Sequence, residues 1–148
     1  MELLKELCAI HAPAGNEVAM KEFILDYIEA NVNNWAVKPE VIHGDDFQDC
    51  IILKFGEPRT AVFAHMDSIG FTVKYGKEVV KIGGPKTEDS FELVGKDSQG
   101  DIETELLVIE DEEGNKSLEY VSDREFDRGT ELIFKSNWRE DDEYVQCC

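Results

Sequence analysis

The sequence predicts an α/β fold in its N-terminal part that gives way, near residue 68, to an all-β, barrel-like unit. Three observations predict it. Apolar residues recur at helical spacing up to Ile28 and not after it. A short continuous apolar run, Thr60 to Ala64, reads as a strand covered on both faces, as in parallel sheets. From Ile69 onward, short strand-like segments alternate with turn residues at regular spacing.

Leu3, Leu4 and Leu7 share one face of a short first helix, which His11-Ala12-Pro13-Ala14-Gly15 breaks. Asn16 is placed to cap the next helix, with Glu17 favourable against its dipole. Met20, Phe23, Ile24, Tyr27 and Ile28 form one apolar stripe, and Asn31, Asn33 and Asn34 end the helix. Val37 to Ile42 and Cys50 to Phe55 read as strands, the first an edge because of Pro39. Thr60 to Ala64 leads directly into His65-Met66-Asp67, so the motif is expected at a strand's C-terminal end, where open α/β sheets bind ligands. The later strands are expected at Ile69–Tyr75, Val79–Ile82, Phe91–Val94, Glu105–Glu110, Ser117–Val121 and Glu131–Phe134. Turns separate them at Gly76, Gly83-Gly84-Pro85, Gly100, Gly114-Asn115 and Gly129, as in a small barrel or sandwich.

An apolar content of 42% in 148 residues supports a real core despite 32% charged residues. The formal net charge of −18 disfavours nucleic acid and anionic membrane surfaces as partners. No segment has the apolar length of a membrane span, and the acidic start Met1-Glu2 is unlike a secretory signal. A cytoplasmic location is therefore expected. Cys8, Cys50, Cys147 and Cys148 match no zinc-finger or redox spacing and read as reduced thiols.

His65-Met66-Asp67 is the main candidate for chemistry. His65 would bind a metal through one ring nitrogen, and Asp67 would orient the imidazole and strengthen it as a ligand. Taken alone, the triplet is more often a hydrogen-bonded histidine at a strand end. Glu112-Glu113, before Gly114-Asn115, belongs to a solvated hairpin tip. Asp45-Asp46 and Glu140 to Glu143 read as solvated edges, His11 and His43 as structural or surface residues, and Trp35 and Trp138 as packing anchors.

The flanks of the triplet add more. Ala64-His65-Met66-Asp67-Ser68-Ile69-Gly70-Phe71-Thr72-Val73, followed by Lys81-Ile82-Gly83-Gly84-Pro85, closely resembles the dinuclear metalloaminopeptidases of the glutamyl aminopeptidase and tetrahedral aminopeptidase type. Leu3-Leu4 through Glu17, and Arg128 to Phe134, resemble the same family in the right order. The resemblance implies an α/β zinc-peptidase catalytic domain, represented by residues 1–68, and an inserted β-barrel for oligomerisation, residues 69–140. Residues 141–148 would begin the return into the catalytic domain, with Tyr144 to Cys148 as the strand leading to the family's bridging Asp. It also implies peptide substrates, a homo-oligomer assembled through the barrel, and two divalent ions, zinc or cobalt, roughly 3.5–4 Å apart. Only His65, as metal ligand, and Asp67, as its orienter, carry over. The bridging Asp, the general-base Glu and the remaining ligands have no counterpart among these residues, so the chain is expected to be inactive alone. The alternative reading is a non-catalytic oligomerisation or protein-binding domain.

Overall fold

A computed structural model of the chain describes residues 2–140 and 145–147. Two helices come first, α1 (Glu2–Ala9) and α2 (Val18–Asn31). The expected stripe of α2 is buried at Met20 and Ile28, half-buried at Phe23 and Ile24, and exposed at Tyr27. Its N-cap is Glu17, not Asn16, and Asn16 instead donates its side-chain amide to Glu131, 2.9 Å away. A two-stranded antiparallel hairpin follows, β1 (Glu40–Ile42) with β2 (Ile52–Lys54).

The core lies in the second half. β3 (Gly70–Val73), β4 (Val79–Ile82), β5 (Glu92–Asp97), β6 (Gly100–Glu110), β7 (Lys116–Tyr120) and β8 (Glu131–Phe134) form one antiparallel sheet in the order β4-β3-β8-β5-β6-β7. The two outer strands approach each other through an antiparallel bridge between Glu78 and Glu119. The Tyr120 amide also donates to the Lys77 carbonyl at 3.0 Å. The sheet is thereby nearly closed into a barrel, which removes most of its exposed edge. Along β6 the burial alternates, with Ile102, Thr104 and Leu106 turned inward and acidic residues between them outward. Phe71, Val73, Val79, Leu93, Ile102, Leu106, Tyr120, Phe126 and Leu132 make one buried cluster. Tyr120 stacks on Phe126, donates its hydroxyl to the Gly76 carbonyl (3.1 Å) and accepts from the Phe126 amide (2.7 Å), so its buried polar atom is satisfied. β9 (Trp138–Glu140) pairs antiparallel with β10 (Val145–Cys147). The expected return segment, 141–148, lies outside the described residues except for β10.

The α/β expectation is corrected here. The chain is mostly β, with two short helices, and residues 1–68 do not form an α/β catalytic domain. Among the described residues, parallel pairing is limited to a single bridge between Pro13 and Ser68. The run Thr60–Ala64 is not a strand, and Val62 and Phe63, which would face opposite sides of a sheet, are each 92% exposed. The physical reason is partner supply. A buried parallel strand takes its hydrogen bonds from neighbours on both edges. Here β1 and β2 pair only with each other, so nothing among the described residues flanks the run. No helix among the described residues is long and apolar enough to cross a membrane.

A buried-carboxylate ion pair ties the β5–β6 turn to the chain after β7. Arg124 grips Asp97 with both guanidinium nitrogens (2.5 and 3.0 Å), and the Asp97 side chain has no exposed surface. The Arg124 hydrogen bond holds the Asp97 carboxyl down to about 2, against an ordinary 3.8. A depressed carboxylate stabilises the fold above its unfolded pKa and loses that contribution as pH falls through the folded one. Asp97→Asn is therefore expected to lower the unfolding midpoint at neutral pH and to flatten the loss of stability between about pH 4 and pH 2. Urea melts across that range check both; an unchanged midpoint would mean that the pair contributes nothing.

Candidate functional site

Among the described residues, the backbone hydrogen bonds that anchor the segment after Thr60 lie at its far end. Ser68 donates its amide to the Ala12 carbonyl (2.7 Å) and accepts from the Ala14 amide (3.2 Å). Ala12 and Pro13 are buried, so this tie clamps the α1–α2 connection against the start of β3. His65 and Asp67 stand just before the tie, in irregular chain and not at the end of a strand as expected, because the strand itself is absent.

The two residues are nonetheless in contact. His65 Nδ1 lies 3.1 Å from the Asp67 carbonyl oxygen and 3.5 Å from its carboxylate Oδ1. With Nδ1 donating to Asp67, Nε2 keeps its lone pair. The His65 side chain is 85% exposed, so ordinary solvent competes for that nitrogen.

Both residues line a cleft of about 990 Å³ between this segment and one end of the barrel. Ile69, Phe91 and Phe134 form its apolar wall. Phe91 and Phe134 meet edge-to-face with centroids 5.4 Å apart. Lys86, Lys135 and Arg139 line the same cleft. Sequence reading missed these three cations: Lys86 lies between β4 and β5, Lys135 just after β8 and Arg139 on β9, so they meet His65 only when the barrel folds.

The donor set does not make a metal centre by itself. A catalytic zinc commonly takes about three protein ligands. The cleft offers one imidazole with its carboxylate partner, and no group of three or more His, Cys, Asp or Glu suited to an ion occurs among the described residues. Glu113 and Asn115 donate their amides to Asp111 in the β6–β7 turn, so Glu112-Glu113 sits in a solvated hairpin tip away from the cleft. No protein-family model matches the chain, and no curated protein matches it.

His11 has a different role. It is half-buried at the α1–α2 connection, and burial lowers its pKa below 6.5, opposed by the Glu131 charge. A histidine held neutral by the fold must gain a proton on unfolding in acid. Stability is then expected to fall as pH drops below about 6.5, with the loss complete below the lowered folded pKa. His11→Gln should remove that slope in thermal melts between pH 7 and pH 5; a slope that persists would assign it to another group.

Proposed function

We propose that the chain supplies one metal ligand and a β-barrel to a metal-dependent aminopeptidase of the dinuclear type, acting on peptides in the cytoplasm. The observation that carries the reading is the His65–Asp67 contact at the cleft: Asp67 occupies Nδ1 and leaves Nε2 for an ion. The likeness of Ala64–Val73 to the family's metal-binding segment supports it. Two divalent ions, zinc or cobalt, would supply water activation and charge stabilisation once the further ligands are provided. The barrel would serve homo-oligomerisation. The role of this chain's residues is narrower: Asp67 sets the tautomer and ring orientation of His65.

The test has two arms. The 148-residue chain, titrated with zinc or cobalt and assayed on a panel of amino-acid amides, is expected to bind metal weakly and to turn nothing over. Metal-dependent turnover that His65→Ala abolishes would show a complete site within these residues and overturn the shared-site reading. In a form carrying the remaining ligands, Asp67→Asn is expected to cost about 10–100-fold in metal affinity or activity. Unchanged activity on His65→Ala there would remove the residue from the reaction.

The second reading, a non-catalytic protein-binding domain, is favoured by the exposure of Val62 and Phe63. Adjacent apolar side chains that face water on both sides of the chain suit a covered interface.

A further inference from the structure

We propose that the cleft binds the C-terminal carboxylate of short peptides ending in an apolar residue, with or without metal. The charge of the protein makes the site unusual. Thirty-three acids against fifteen bases repel anions over most of the surface. The cleft reverses this locally, with Lys86, Lys135 and Arg139 set against Asp67 and Glu92. Lys135 is already engaged with Glu103 at 2.9 Å. The side chains of Lys86 and Arg139 have no ion pair or hydrogen bond among the described residues, so both remain available to an incoming anion.

The remaining chemistry narrows the ligand. The apolar wall of Ile69, Phe91 and Phe134 calls for an apolar body beside the negative charge. Ile69 is 44% exposed, which such a body would cover. An arginine fork pairs with a carboxylate in bidentate geometry, a role open to Arg139 on the cleft lining. Ser90 borders the cleft with a left-handed backbone (φ 65°), held there as its amide donates to the Leu106 carbonyl at 2.9 Å. Its hydroxyl, and the Glu92 carboxylate, offer partners to peptide amides, which a fatty acid would not use. Polyanions such as nucleic acid are repelled by the net charge of −18.

The experiment is isothermal titration of the full chain, in excess chelator, with the tripeptide Ala-Ala-Phe as free acid, its C-terminal amide, and decanoate. The free acid is expected to bind about 10-fold or more tightly than the amide. The double variant Lys86→Gln, Arg139→Gln, at exposed positions, should abolish that preference, and Phe91→Leu should weaken acid and amide together. Equal binding of acid and amide, or no binding of either, overturns the proposal. Tighter binding of decanoate than of the peptide overturns it in favour of a lipid carboxylate. Binding seen only when zinc replaces the chelator also overturns it, while supporting a metal role for His65; failure of the metal assays above leaves this result untouched.

Discussion

Leu132→Ala is expected to cost about 3–5 kcal/mol of unfolding free energy. Leu132 is fully buried and sits in the middle of β8, which lies between β3 and β5. Its side chain belongs to the one cluster that includes Phe71, Leu93 and Leu106. Truncation removes the transfer energy of the lost carbons and leaves a cavity, and a strand paired on both edges has little freedom to collapse into it. A domain of this size is stable by roughly 5–15 kcal/mol, so the loss is a large fraction of the whole. Urea denaturation monitored by circular dichroism measures it through the midpoint. A cost below about 1 kcal/mol would show that the barrel interior is not the core.

Gly95→Ala is expected to be nearly as damaging, for a different reason. Gly95 pairs with Leu132 across β5 and β8. A Cβ there would lie 2.5 Å from the Glu131 carbonyl oxygen and 2.8 Å from Leu132 Cδ2. The first neighbour is backbone and cannot rotate away, so β5 and β8 would have to part. Overpacking commonly costs about 1–3 kcal/mol, and a forced backbone shift belongs at the upper end. Gly70, on the other side of β8, is equally crowded by the Leu132 carbonyl. Glycines on both flanks let a short strand be gripped closely in a tightly coiled sheet. Gly84→Ala is the control, since a Cβ there meets nothing within 4 Å and the residue lacks a positive φ. Thermal melts of the pair should show a marked fall for Gly95→Ala and almost none for Gly84→Ala. Equal melting temperatures would refute the close approach of β5 and β8.

Some elements were legible from local pattern alone. Val79–Ile82 and Glu131–Phe134 are strands over the residues expected, because turn residues bracket each short apolar stretch. β6 begins at Gly100, earlier than the expected Glu105, because Asp101, Glu103 and Glu105 alternate with Ile102 and Thr104 and dilute the apolar signal. The contact of His65 with Asp67 was also legible, since two residues apart in sequence can meet without help from the rest of the fold. The expected α/β unit failed at Thr60–Ala64. Its composition says only that the run prefers burial; whether neighbours exist to bury it is a property of other parts of the chain.

By itself, then, the sequence determined the positions of the turns, most of the strands after Ile69, the α2 stripe and the His65–Asp67 pair, all of them set by interactions between near neighbours. Tertiary structure alone decided that β8 lies between β3 and β5, that β4 meets β7, and that Lys86, Lys135 and Arg139 share a cleft with His65. These are non-local pairings, chosen by register and by which surfaces remain to be covered, and no local periodicity encodes them.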